Sequence, residues 1–522
     1  MDEDTCAVCK ISAKQKCGGC RSVFYCSRDH QKQHWKEHSR SCRAYKMMET
    51  EAVGRHYIAQ RRIEAGEVVI REEEPLLLSP PLDTQAICLG CYVALSPETS
   101  RPCRDCGWPL CLTCNSHGPE CGFTQRYRTS KVSVTEFGLT HPKYRCIGAL
   151  RALCLRESDP KAYAALARLQ AFAGRGDADF HEPRETARFV KRFFDRLAED
   201  IDEQEIARIV GIIQINGHEV PTVEPNTLVA VYDLSSYLEH SCRANCSKSF
   251  TDSNGIVVRA AEPIEKGAHV TICYTDPLWG TANRRHHLLR TKFFECACPR
   301  CSDPTEFGTM FNAIKCRKSD CGGYMLPPTF LTPEVPDYEC DKCGDSVSSN
   351  EVDEELERMG RDLAGMRKND PETCRAFARR HGSALHANHF YMTDVKLALA
   401  QLIGQQVGGL PTLPDETVSE KILLCKNIDE LLRVIVPSEN RVRGLVLFEM
   451  HAAVAEFGRR RDKEQLYNIL LEAKRLLSEA YRLLKHEPES LPEGKIAQTA
   501  KKNLGEIELI LRRLCLNSVA TP

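Results

Sequence analysis

Nowhere in the sequence do about 18 consecutive apolar residues occur, so no segment reads as a membrane-spanning helix. Nor is there an excess of either charge. The 71 Lys and Arg against 72 Asp and Glu leave a formal net charge of -1, which excludes a global field drawing the whole molecule to nucleic acid or an anionic membrane. Any such binding must be local. The opening residues MDEDTCAVCK lack the basic and apolar regions of a secretory signal, so the chain is expected to stay inside the cell, in nucleus and cytoplasm. With 522 residues it is long enough for about two to four domains.

What the chain does have is cysteine, 28 of them. Reducing compartments make disulfide frameworks improbable, so metal binding becomes the default reading. Pairs spaced C-x2-C support it, since that spacing lets two thiolates reach one tetrahedral zinc. Such pairs fall in separate regions along the chain.

The first region orders Cys6-x2-Cys9, Cys17-x2-Cys20, Cys26, His30, His38 and Cys42, eight ligands for two zincs. Up to Cys26 it is too polar to bury a core of its own, so metal binding must supply much of its folding free energy. From Lys10 to Lys46 ten Lys or Arg face only Asp29 and Glu37. A solvated helix face accounts for this basic island; phosphate contacts are the weaker alternative, to be abandoned if binding is insensitive to salt.

The string FYCSRDHQKQHWKEHSRSC resembles the MYND finger, whose Tyr-Cys pair leads into a short helix bearing Gln31, Trp35, His38 and Cys42. The resemblance implies interleaved sites: Cys6, Cys9, Cys26 and His30 on one zinc, Cys17, Cys20, His38 and Cys42 on the other. His30 stands where the family usually has Cys. Binding of proline-containing peptides is implied as well, and His34 reads as an exposed helix residue.

Beyond the finger, strand-like VVI and LLL are separated from GRHYIA by an Ala65-Gly66 turn, and VRAAEPIEKGAHVTICYTD repeats the pattern around Lys266-Gly267. A β domain has been interrupted. From about Gly54 to Cys301 these pieces resemble the SET domain, the lysine-methyltransferase fold. GRHYIA stands for its glycine-rich cofactor loop, IIQINGHEV for the asparagine-bearing strand, SSYLEHSCRANC for the pseudoknot, ICYTD for the tyrosine strand and FFECACPRC for the post-SET cysteines.

The resemblance implies that S-adenosylmethionine lies against Arg55, Asn216, Ser236, Leu238, Glu239, His240 and Phe294, with Tyr274 as the active-site tyrosine. It also implies one zinc on Cys242, Cys296, Cys298 and Cys301, while Cys246 and Cys273 read as buried thiols. Four positions depart from the family's pattern: His56 for the second glycine, Glu239 for an asparagine, Lys292 for a second tyrosine at the lysine channel, and Ala244 for a proline. Lys292 would repel a substrate lysine unless it points to solvent. The arthropod-type SmydA branch is the most similar.

Between the SET halves, Cys88, Cys91, Cys103, Cys106, Cys111, Cys114, His117 and Cys121 supply ligands for two further zincs, as a degenerate MYND-like scaffold. ARFVKRFFDRLAEDI has helical periodicity, and Cys316, Cys321, Cys340 and Cys343 flank the turns of a zinc ribbon. The tail carries apolar residues at spacings of three and four, from Leu466 and Ile469 to Leu484. It resembles the family's TPR-like domain, though an ordinary helical core fits equally well.

The expected organisation is therefore an α+β multidomain chain. It comprises a MYND finger (1–45), SET first part (46–85), two-zinc insert (86–125), helical insert (140–210), SET second part (211–290), post-SET zinc segment (291–304), zinc ribbon (312–346) and all-α C-terminal domain (350–519). A monomeric methyltransferase of histone or other protein lysines, acting in gene regulation, is the leading functional expectation, with a protein substrate bearing the target lysine. A catalytically weak SET/MYND zinc adaptor is its rival.

Overall fold

The computed structural model describes residues 5–17, 23–38, 42, 44–51, 53–171, 181–197, 201–223 and 227–519. Its central sheet joins segments far apart in sequence. Val68–Glu72 pairs antiparallel with Ile256–Ala260, Ile70 opposite Val258, and Cys246–Phe250 extends the sheet. Gly66 enters this sheet at φ 87° and Gly267 makes the corresponding turn at φ 88°, conformations that favour glycine. A second sheet orders Leu77–Ser79, Thr227–Val231 and His218–Pro221, again mixing early and late strands.

Glu239–His240 and Thr271–Ile272 form a short parallel pair. Parallel strands need a long connection, and here it carries the Cys246–Phe250 and Ile256–Ala260 hairpin. The buried Glu72 carboxylate fixes the approach to this pair by accepting from the backbone N–H groups of Asp233, Leu234 and Ser235 and from the Ser235 hydroxyl.

GRHYIA is a strand, Gly54–Ala59, paired with Tyr45–Thr50, rather than a loop. Only Gly54 takes a left-handed φ, 68°, at the tip of that hairpin. Between the early and late strands in chain order come the helices Ile147–Ser158, Pro160–Ala167, His181–Phe193 and Glu203–Asn216, so the helical insert runs past the expected residue 210. IIQIN was expected on a strand. It ends a helix instead, because Glu203 and Glu205 suit the helix N-terminus and Ile206, Ile209, Val210 and Ile213 bury one face.

From Ser349 onward the chain is helical: Ser349–Gly365, Pro371–His381, Phe390–Leu402, Asp415–Ile435, Asn440–Arg459, Lys463–Leu484 and Pro492–Val519. From Pro371 each helix packs on its successor, with Leu470, Ala473, Leu477, Ala480 and Leu484 buried. Arg243 Nε donates to the Val434 carbonyl at 2.9 Å and Ser490 Oγ to Asp252 Oδ1 at 2.8 Å, tying this region to the β domain. No described helix is long and apolar enough to cross a membrane.

Candidate functional site

Four zinc ligands around one ion place their donor atoms about 3.7 Å apart for sulfur pairs and a little less for sulfur and nitrogen. The donor atoms of Cys6, Cys9, Cys26 and His30 all lie within 4.8 Å of one another, with Cys26 Sγ 3.0 Å from His30 Nδ1 and Cys9 Sγ 3.5 Å from Cys26 Sγ. Cys17 Sγ lies 3.7 Å from Cys42 Sγ on the side of the finger where His38 is buried. Cys20 lies outside the described residues. The finger helix Arg28–His38 carries His30 and His38 inward and leaves Trp35 exposed. His34 is half-buried rather than exposed, because the Tyr25 hydroxyl meets its Nδ1 at 2.9 Å and its ring stacks on His38.

The insert interleaves its ligands in the same way. Cys88, Cys91, Cys111 and Cys114 form one cluster, and Cys103, Cys106, His117 and Cys121 the other. Cys106 Sγ is 3.1 Å from His117 Nε2, and His117 Nδ1 meets Glu120 Oε1 at 2.9 Å. Glu120 also holds Arg151 through Nε at 2.9 Å and Nη2 at 3.1 Å. Burial alone would raise the Glu120 pKa, but His117 and Arg151 outweigh it and hold the carboxyl at about 2. A carboxylate behind a ligating imidazole fixes the ring for metal. Cys316, Cys321, Cys340 and Cys343 converge likewise, with sulfur pairs at 3.6 and 3.7 Å.

The post-SET cluster adds a charge argument. Cys242 Sγ stands 3.9 Å from Cys296 Sγ and 3.5 Å from Cys301 Sγ, with Cys298 completing the set. Beside it Arg284 and Arg300 are wholly buried, sharing the single carboxylate of Glu306 at 2.9 and 2.6 Å. Two guanidiniums and one carboxylate leave a buried positive excess, which a zinc on four thiolates, itself anionic, offsets. The donor set and its surroundings fit zinc.

From this cluster an imidazole leads to the tyrosine. His240 Nδ1 accepts from the Tyr274 backbone N–H at 3.0 Å, so Nε2 carries the proton and faces Cys242 Sγ at 3.2 Å. Tyr274 donates its hydroxyl to the Leu238 carbonyl, and burial raises its pKa, so the phenol stays protonated. The Phe294 ring lies 5.8 Å from His240 and completes an aromatic wall. Cys246 is buried, and Cys273 is half-buried with Sγ 3.2 Å from the Thr275 carbonyl.

Of the other residues expected at the cofactor, Arg55 and Asn216 meet residues 168–170, while Ser236 and Glu239 bond elsewhere. Arg55 donates to the Arg168 carbonyl at 2.8 Å and lies over the Tyr237 ring, while Asn216 donates to the Gln170 carbonyl at 2.8 Å. Ser236 Oγ is turned back to the Tyr232 carbonyl at 2.6 Å. Glu239 Oε2 meets His269 Nδ1 at 2.5 Å, and His269 stacks on buried His56, with centroids 4.7 Å apart and planes 4° apart. His56 lies within an extended strand, so glycine's conformational freedom is not needed there. Arg55 has the chemistry for a carboxylate and Glu239 for an ammonium, and each is engaged within the chain, Arg55 with the Arg168 carbonyl and Glu239 with His269.

Lys292 does not point to solvent. It ends the helix Thr281–Lys292, and its Nζ donates to the carbonyls of Gln214 at 3.0 Å and Ile215 at 2.9 Å. Motif reading also missed Glu72, Glu120, Arg151, His269 and Gln214. Glu120 stands only three residues after His117, a spacing that signals it locally; the others matter only through partners far along the chain.

Comparison with known proteins now adds to the geometry. The MYND finger family matches residues 6–42 and the SET domain family residues 54–275. The Drosophila melanogaster SET domain-containing protein SmydA-8 is similar in two forms. Isoform A is 32% identical over 301 residues, 56% of this chain and 63% of the relative; isoform B is 30% identical over 316 residues, 58% and 66%. The chain thus covers less than two thirds of either fly relative. The Mus musculus histone-lysine N-methyltransferase SMYD3 is 42% identical over 73 residues, 14% of this chain and 17% of the relative.

Proposed function

This chain belongs to the SET-and-MYND family, and from that premise we propose that it is a protein-lysine N-methyltransferase using S-adenosylmethionine, with zinc as its structural metal. The observation that carries the reading is the clamp on Tyr274: its backbone held by His240, its hydroxyl by Leu238, in a half-buried aromatic corner. When bound, the cofactor supplies an electrophilic sulfonium methyl. Arg55 would meet its carboxylate and Glu239 its ammonium, with Asn216, Ser236, Leu238, His240 and Phe294 around the rest.

The chain's own task is to present an amine with a free electron pair. An ordinary lysine, with a pKa near 10.4, is almost wholly protonated at neutral pH. Burial beside Tyr274 disfavours the charged form, and the pull is evident on Lys292, whose amine it lowers to about 8, with Lys248 adding repulsion. The protonated phenol acts as a fixed dipole that orients the approach and excludes water, not as the base.

The substrate would be a protein lysine, histone or other, met by a monomer acting on gene regulation in nucleus and cytoplasm. The finger would add proline-containing peptides as partners, since Trp35 is open to solvent. Phosphate contacts by the basic island are a lesser prospect. A second reading, a zinc adaptor without turnover, is favoured by one observation, the Lys292 amine beside Tyr274. Calorimetry with S-adenosylmethionine on the zinc-loaded protein tests the first reading. Binding at about micromolar Kd supports it, and no detectable heat overturns it.

A further inference from the structure

The Lys292 side chain is seated in a receptor for ammonium ions. The carbonyls of Gln214 and Ile215 belong to the last turn of the helix Glu203–Asn216, where helical carbonyls lack intrahelical partners and carry the negative end of the dipole. Lys292 Nζ donates to both, at 3.0 and 2.9 Å, and lies 5.9 Å from the centre of the Tyr274 ring. Two carbonyls and an aromatic face suit a primary ammonium. Close by, Gln214 Oε1 and Thr275 Oγ1 are buried without a hydrogen-bond partner, so the surroundings keep polar capacity that Lys292 does not use.

The helix stops at Lys292. Phe293, immediately after it, adopts φ 59° and ψ 35°, a left-handed conformation unusual for an aromatic residue. That turn ends the helix at Lys292 and lets Phe294 reach His240.

We infer that Lys292 is an internal occupant of the acceptor-amine site: it fills, in cis, the place that a substrate lysine would take beside Tyr274, and external lysines are shut out until it leaves. The inference rests on the methyltransferase reading of Tyr274. Its physical basis is exclusion, because a second ammonium would compete for the same two carbonyls and meet a like charge at close range. The resting chain therefore binds cofactor without turning over on external lysine.

The test compares the full zinc-loaded chain with Lys292→Tyr and Lys292→Met. The first supplies a neutral ring and the second keeps the stem without the charge, so one remains informative if the other misfolds. Each is titrated calorimetrically with S-adenosylmethionine, then supplied with radiolabelled cofactor and a peptide library bearing one central lysine. The expected result is cofactor affinity within about twofold across the three proteins, with transfer at least about tenfold faster in a folded variant than in the wild type. Equal transfer rates in all three, fast or absent, with cofactor bound, overturn the inference and leave the methyltransferase reading standing. Absence of cofactor binding in all three removes that reading, and the inference with it.

Discussion

The insert at residues 88–121 shares eight ligands between two interleaved sites, and the described ligands of the N-terminal finger follow the same plan, yet the two stand differently in the molecule. The finger's buried residues, Cys6, Ala13, Cys17, Phe24 and Tyr25, form a small core of their own. Those of the insert, among them Cys88, Cys103, Trp108 and Leu110, belong to the large core of the β domain, where Trp108 packs against Tyr144. Its second site is also braced by Glu120 and Arg151. One ligand plan thus serves two ends: in the finger, where the sequence suggested no core, the metal reinforces a small separate one, and in the insert it stitches a loop onto the large one.

Zinc removal should separate them most sharply. A chelator should unfold the finger outright, since structural zinc contributes on the order of 10 kcal/mol to such modules, while residues 88–121 stay partly protected by the shared core. Hydrogen exchange read by mass spectrometry checks this, and equal loss of protection in both modules breaks the comparison. Next in size is Glu120→Ala, which strands a buried guanidinium at a cost of about 3–5 kcal/mol and weakens the His117 site about 10- to 100-fold in zinc affinity. A competition titration on that variant should lose one tight zinc and keep the finger's two. Smallest is Trp35→Ala. The residue is 48% exposed, so stability should change by no more than about 0.5 kcal/mol, while binding of a proline-containing peptide, followed by fluorescence anisotropy, should fall below detection. A large loss of stability would mean that Trp35 packs rather than binds.

The metal ligands were legible because their chemistry is local: short spacings put two sulfurs within reach of one ion before any fold is considered. The helix at IIQIN was less legible, since a run of β-branched residues suits a strand or a buried helix equally, and Glu203 and Glu205, about two turns or more earlier, decide the matter. Lys292 could be singled out as a departure, but its direction depends on Gln214 and Ile215, which belong to a different helix. Glu72 was hidden in an acidic run, where nothing distinguishes the one carboxylate that turns inward to hold the Asp233–Ser235 backbone.

The pairing of Val68–Glu72 with Ile256–Ala260 has a consequence for how the chain is made. A ribosome delivers the first strand long before its partner, so an apolar β edge must wait while the two-zinc insert and the helices emerge between them. The insert can load its zincs and the helices Ile147–Ser158 and Glu203–Asn216 can form during that interval. Metal supply during translation, more than afterwards, is then expected to set how much of the newborn protein completes the pairing of Val68–Glu72 with Ile256–Ala260.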